Sequence, residues 1–137
     1  MFDLSIITIN YNNASGLKQT VDSVVNQSNK NFEYIIIDGN STDKSKRIID
    51  SLEFENLKWI SEEDSGIYNA MNKGLRYATG DVIAFLNADD FYYNNKVIED
   101  VNSYFTKDIQ IVYGNIKYYN NKGCHCTNHN CINKWLK

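Results

Sequence analysis

Proline is missing altogether from these 137 residues, although several turns must connect the elements. The chain is instead biased towards Asn, Lys and Ile, and the turns must be made by Asn, Asp, Ser and Gly. Cysteine is nearly as scarce. Its three copies, Cys124, Cys126 and Cys131, lie in the last fourteen residues, so disulfides cannot staple the body of the fold. No apolar run reaches membrane-spanning length and no signal peptide opens the chain, so a cytosolic protein is expected. A formal net charge of -3 offers no basic surface for nucleic acid. A composition that is 42% hydrophobic and 13% aromatic is globular, and the length suits one domain with a real core.

The clearest signal is Asp81-Val82-Ile83-Ala84-Phe85-Leu86-Asn87-Ala88-Asp89-Asp90. An apolar run bounded by Gly80 reads as a fully buried strand and ends on two adjacent carboxylates. Two ionised aspartates side by side are costly unless a cation or solvent separates them. Hard oxygen donors suit Mg²⁺ or Mn²⁺, commonly shared with a substrate phosphate.

Other runs place the remaining elements. Leu4–Ile9 is a β-branched strand, followed by turn chemistry over 10–16 and a helix carrying Leu17, Val21, Val24 and Val25 on one face. Phe32–Ile37 is a second strand, with helix-capping residues in Asp38–Asp43. Ile48, Ile49 and Leu52 mark a second helix, and Leu57–Ile60 a short third strand. An acidic loop, Glu62–Gly66, leads to a third helix whose Ala70, Gly74 and Ala78 suit close packing on a sheet. Val97, Ile98, Val101 and Phe105 mark a fourth helix. Ile109–Tyr113 and Ile116–Tyr119 read as two last strands, with a turn over 120–123.

Strands alternating with helices predict an α/β fold with a mostly parallel sheet and helices on both faces. Ligands of such sheets bind at the carboxyl ends of the strands. Three polar clusters follow strands there: Asn10-Tyr11-Asn12, Asp38–Asp43 and Asn87–Asp90. They predict one site at one sheet edge.

Four stretches then resemble a known family: 5–12, 37–43, 64–74 and 86–90. Together they are similar to the family 2 glycosyltransferases of GT-A, Rossmann-like fold, in their bacterial polysaccharide-synthesis branch, over residues 3 to 119. The resemblance implies a nucleotide-diphosphate sugar as donor, Mg²⁺ or Mn²⁺ as cofactor and a saccharide or lipid-linked acceptor. It also allows a peripheral position at the inner membrane. Ile9, Asn10 and Tyr11 would pack on the nucleobase, and Asp38 would bond base or ribose. Lys73 would face the diphosphate. Asn87 would lie near the ribose, and Asp89, with Asp90 beside it, would hold the metal. Three positions depart from the usual pattern. Ile9 and Asn10 stand where proline and threonine are common, Gly39 replaces a second aspartate, and Asn87 replaces the first aspartate of the metal motif.

The expected organisation is a nucleotide-sugar-binding domain over 1–123 and an irregular tail over 124–137. The family's later half supplies the acceptor side and a catalytic Asp or Glu. Eighteen residues follow Tyr119 and none is acidic, so the expectation is a donor-binding half with the base beyond residue 137 and weak or absent turnover alone. An active chain would have to find its base among Glu62, Glu63, Asp64 and Glu99. The uncovered apolar surface of such a half invites self-association. Two other classes compete: a non-catalytic nucleotide-binding fragment and a nucleotidyltransferase. The latter normally carries a Gly-rich basic loop after its first strand, and 10–16 has no basic residue. Cys124, His125, Cys126, His129 and Cys131 lack the Cys-x2-Cys spacing of a zinc knuckle, so no structural zinc is expected.

Overall fold

The computed structural model describes residues 3–120 and 123–125. Its elements run β1 (Leu4–Asn10), α1 (Ala14–Val25), β2 (Phe32–Asp38), α2 (Ser45–Asp50), β3 (Leu57–Ser61), α3 (Ile67–Tyr77), β4 (Val82–Phe85), α4 (Val97–Tyr104), β5 (Tyr118–Asn120) and β6 (Gly123–His125). The contacts divide the chain into two units, Met1–Glu99 and Asp100–Lys137.

In the first unit four parallel strands stand in the order β3-β2-β1-β4. The chain winds outward from β1 to β3 and then returns to the other side of β1. The strand order therefore reverses between β1 and β4, where open α/β sheets bind ligands. β1 lies at the centre, and all seven of its residues are buried, as its unbroken apolar sequence requires.

Alternate residues of the strands serve opposite layers. Leu4, Ile6, Tyr34 and Ile36 pack with Leu17, Val21 and Val24 of α1, Ile49 of α2 and Ile98. Ile7, Ile9, Ile35 and Ile37 pack with Ala70 of α3. Helices cover both faces, as the alternating pattern predicts. The small residues of α3 have the expected purpose. A Cβ on Gly74 would lie 2.5 Å from Ile7 Cγ2, so only glycine lets α3 approach the sheet so closely.

Two expectations need correction. The stretch over 82–85 is not a fully buried strand. Among the described residues β4 is an edge strand, and Ile83 and Phe85 are 36% and 41% exposed. α3 packs on β1 and β2, so the outward residues of β4 on that side stay partly open. An apolar run alone does not distinguish an edge strand from an inner one. The second correction lies in the second unit. Residues 109–117 form no strand, and the pairing there is a short antiparallel ladder in which Tyr118 faces His125 and Asn120 faces Gly123. Residues 124 and 125 are thus in a strand where an irregular tail was expected to begin. The rest of the Cys/His set lies outside the described residues.

The edge of the first sheet opposite the strand ends is fixed by Glu33. Its Oε1 accepts from the Ser5 hydroxyl, the Thr79 amide and hydroxyl, and Gly80 N, while Oε2 accepts from Lys58 Nζ at 2.9 Å. One carboxylate so joins β1, β2, β3 and the turn that starts β4. Burial would raise its pKa, but the hydrogen bonds from Ser5, Thr79 and Lys58 outweigh that and hold it at about 2 against an ordinary 4.5. A depressed carboxyl stabilises fully above its unfolded value, and that stability is lost as pH falls from about 4.5 towards 2. Glu33→Gln is therefore expected to cost about 1–3 kcal/mol at neutral pH. It should also flatten the acid decline below pH 4.5. Urea midpoints across a pH series measure both effects, and parallel curves for the two proteins would contradict this role.

Candidate functional site

The loops that follow β1, β2 and β4 meet at one edge. Asn10, Asp38 and Ser61 stand in register at the ends of three neighbouring strands. β4 continues the ladder, since Leu86 N donates to Ile7 O and Ala88 N to Ile9 O, both at 3.0 Å.

Asp38 is the hub of this edge. It is fully buried, and its carboxylate takes four donors. Asn10 Nδ2 (2.9 Å) and Ser41 Oγ (2.5 Å) donate to Oδ1; Ser41 N (2.9 Å) and Ser61 Oγ (2.7 Å) donate to Oδ2. Burial pushes its pKa up, but the bonds from Ser41, Ser61 and Asn10 win and hold it below the usual carboxylate range. The resemblance implies that Asp38 bonds the base or ribose; here its carboxylate is already engaged inside the protein. Ser41 Oγ also accepts from Asn12 N at 2.8 Å, and Asn12 Oδ1 accepts from Thr42 N at 2.8 Å. The first two loops are thereby sewn together. Asp43 extends the seam beyond the capping expected of it. It accepts Ser45 N at the start of α2 and Ala14 N at the start of α1, at 2.9 and 2.8 Å.

The loop after β4 is held from α1. Thr20, fully buried in mid-helix, accepts Asp89 N–H at 3.0 Å and donates to Asp90 O at 2.7 Å. One turn on, Ser23 Oγ accepts Tyr92 N at 3.2 Å. Gln27, also buried, donates to Asn94 O and accepts from Ile98 N. From the sheet side, Tyr34 and Thr8 hydroxyls lie 3.0 Å apart, and Thr8 donates to Leu86 O at 2.7 Å. Since Thr8 has one proton, Tyr34 is the donor of that pair. This relay fixes the point where Asn87 begins.

Three non-glycine residues among the described ones have left-handed backbone: Asn12 (φ 48°), Asn40 (φ 62°) and Asp89 (φ 86°). Each belongs to a different one of the three loops. Asn and Asp tolerate that region better than other side chains, and such outliers gather at functional sites.

The predicted site residues separate into two groups. Tyr11 (67% exposed), Asp89 and Asp90 project at the edge. Asn10 and Asn87 line it with side-chain oxygens that are buried and have no partner, hence two acceptors in want of donors. Ile9, in contrast, packs in the α3-side core. Lys73 is engaged elsewhere: its ammonium donates to Glu63 O at 2.6 Å and pairs with Glu62 at 3.0 Å, which pins the loop before α3. Thr20 and Ser61 escaped the sequence reading, and Ser41 was expected there only as a helix cap. A threonine within the apolar stripe of α1 was the one available signal.

The side chains at this edge include donors of the kind a divalent ion takes. The Asp89 and Asp90 carboxylates are exposed and take no donor among the described residues, and the Asn87 oxygen is unpartnered. These are hard oxygen ligands. No group of three His, Cys, Asp or Glu side chains is gathered among the described residues. An ion here would complete its shell from phosphate and water, as Mg²⁺ commonly does, and on that basis the residues fit.

Thr20→Val keeps shape and removes the hydroxyl. It should destabilise the protein by about 1–3 kcal/mol, because the Asp89 N–H loses its partner. Hydrogen exchange at the Asp89 amide should accelerate at least tenfold, and unchanged protection there would contradict the clamp.

The profile of glycosyl transferase family 2 matches residues 5–136. An uncharacterized glycosyltransferase of Nostoc is 36% identical over 77% of this chain and 34% of its own length. The UDP-Glc:alpha-D-GlcNAc-diphosphoundecaprenol beta-1,3-glucosyltransferase WfgD of Escherichia coli is 30% identical over 88% of this chain and 47% of its own. Across the first five curated relatives the chain spans 34% to 49% of their length. Among solved structures, Staphylococcus aureus TarS 1-349 in complex with UDP-GlcNAc superposes with TM-score 0.68 at 25% identity, over 74% of this chain and 30% of that 1-349 chain. The Pyrobaculum calidifontis mannosyltransferase PcManGT, in complex with GDP-Man and Mn²⁺, gives TM-score 0.70 at 22% identity, over 79% of this chain and 34% of its own. The last likeness is one of fold, and the fold is the α/β GT-A arrangement that the resemblance implies. With its profile matched almost from end to end, the chain belongs to glycosyl transferase family 2.

Proposed function

We propose that this chain binds a nucleotide-diphosphate sugar at the crevice between β1 and β4, with a divalent cation, as the donor part of an inverting glycosyltransferase. One observation carries the reading. At the switch point of the sheet, an exposed Tyr11, two free carboxylates and two orphaned amide oxygens stand together on loops clamped from behind. The relatives support it, since they include a UDP-glucose-dependent enzyme and a UDP-GlcNAc complex.

Each group has a task suited to its chemistry. Tyr11 offers an aromatic face to the base. The oxygens of Asn10 and Asn87 accept from ribose or sugar hydroxyls. Asp89 and Asp90 would hold Mg²⁺ or Mn²⁺, which when bound offsets the charge that develops on the leaving diphosphate. The acceptor is a saccharide or lipid-linked sugar, as polysaccharide assembly requires. Its hydroxyl oxygen bonds to the anomeric carbon, the bond from that carbon to the diphosphate breaks, and the hydroxyl proton passes to a base. We place that base and the acceptor side outside the described residues. The donor-binding role is assigned to residues 1–123, and every site residue named lies in the first unit. Among the described residues no helix is long and apolar enough to cross a membrane. Peripheral contact with the inner membrane belongs to the proposal through the lipid-linked acceptor alone.

The test is thermal unfolding with UDP, GDP, dTDP or CDP, each with and without Mn²⁺. One of them should stabilise the protein by about 2.7 kcal/mol at a hundredfold excess over its dissociation constant. Asp89→Asn should lose the Mn²⁺-dependent part and keep its own unliganded Tm, because that side chain is exposed and asparagine tolerates the left-handed backbone there. Equal nucleotide affinity in mutant and wild type would sink the metal assignment.

A further inference from the structure

A groove of about 480 Å³ lies between α1 and α2. Ala14 and half-buried Ile48 line it with apolar surface, and the exposed side chains of Lys18, Lys44 and Arg47 line it with positive charge. No carboxylate lines it, in a chain with 17 acidic residues against 14 basic. Three cations gathered without an acid run against that composition. Lys18 pairs with Asp22 one turn along α1, an exposed pair that holds it only weakly. Lys44 and Arg47 form no ion pair among the described residues. The groove begins at the edge that carries the donor crevice. Ala14 opens α1 just after the turn of Tyr11 and Asn12, and Lys44 follows the loop after β2. Asp43 ties the two helix starts together through Ala14 N and Ser45 N, so its carboxylate is engaged there.

A compact soluble anion is best held by donors that converge on one point. This lining is mainly apolar, and its cations stand on long flexible stems from two helices. Such side chains lay their methylenes on apolar surface and keep their charged heads in water. That arrangement suits an interface, where apolar contact and attraction to anionic lipid act together. Each Lys or Arg brought close to an anionic leaflet strengthens binding about fivefold, so several are needed and several are present.

We propose that the groove between α1 and α2 docks this chain on an anionic bilayer surface, with Lys18, Lys44 and Arg47 against the lipid phosphates. The donor-binding reading brings the chain to a membrane only through its acceptor. The groove adds a direct contact, made by residues outside the crevice and independent of any nucleotide. Because groove and crevice share an edge, such docking holds the loops after β1 and β2 beside the bilayer surface.

The test is sedimentation of the full chain with vesicles, in the absence of nucleotide and metal. One set is pure phosphatidylcholine, the other equal parts phosphatidylcholine and phosphatidylglycerol. Wild type should bind the anionic set at least tenfold more tightly, and high salt should release it. The double variant Lys44→Gln, Arg47→Gln should lose at least tenfold of that affinity. Its Tm, and its calorimetric affinity for UDP with Mg²⁺ in solution, should match those of wild type. Arg76→Gln removes an exposed charge from α3, on the other face of the sheet, and should change vesicle binding less than twofold. Equal losses in Arg47→Gln and Arg76→Gln would reduce the effect to net charge and overturn the proposal. Equal binding to the two vesicle sets, or binding to neither, would overturn it as well. Saturable binding of inorganic phosphate that the double variant loses would make the groove a soluble-anion site instead, and a loss of UDP affinity in that variant would merge it with the donor site. Vesicle binding without any nucleotide binding would overturn the donor-binding reading alone.

Discussion

A buried carboxylate with four donors holds the working edge of this protein together. Desolvating Asp38 is costly, and the structure offsets that with charge-assisted bonds from two neighbouring strand ends and one loop. Remove the charge and at least one of those donors faces nothing. Ser41, held by Asp38, in turn holds Asn12, so the turn after β1 depends on a residue of β2. Tyr11 lies between these fixed points and owes its projection to them. Asp38 therefore serves the site by shaping it.

A second device works on the opposite flank of the crevice. Thr20 and Ser23 of α1, with Gln27 just past its end, form a polar seam, and each satisfies backbone groups of the segment after β4. Together with the Tyr34–Thr8–Leu86 relay they set Asp89 in a left-handed conformation that an isolated chain would rarely hold. A loop ordered in advance loses little entropy when a ligand arrives, so binding energy is not spent on arranging it. The side chains left free at the edge are those a phosphorylated sugar donor can use, while those that build the frame are consumed inside it.

Much of this was legible in the sequence. The β-branched runs at Leu4–Ile9 and Phe32–Ile37, and the small residues of α3, encode burial and close approach directly, so the parallel sheet could be read from them. The polar clusters after the strands meet at one edge, as their positions predicted, for the same reason. What could not be read was which polar residues face inward. Asp38 and Asp89 both follow apolar strands, yet only the first is enclosed by Ser41, Ser61 and Asn10, partners from other parts of the chain. Lys73 sits on an amphipathic helix, and its turn towards Glu62 and Glu63 depends on the path of a loop ten residues away. The edge position of β4 and the lack of a strand over 109–117 have the same origin. Apolar content favours a strand, but pairing decides it, and pairing is non-local.

A donor nucleotide is proposed to bind at the carboxyl-end edge of the sheet, between β1 and β4. Backbone amide NMR of the ¹⁵N-labelled chain, titrated with UDP and Mg²⁺, tests it most directly. Saturable shifts should concentrate at Tyr11, Asn12, Gly39, Asp64 and Asn87–Asp90, while Thr79 and Gly80 at the opposite edge stay still. Shifts centred on Thr79 and Gly80, or on the groove between α1 and α2 lined by Lys18, Lys44 and Arg47, would contradict it.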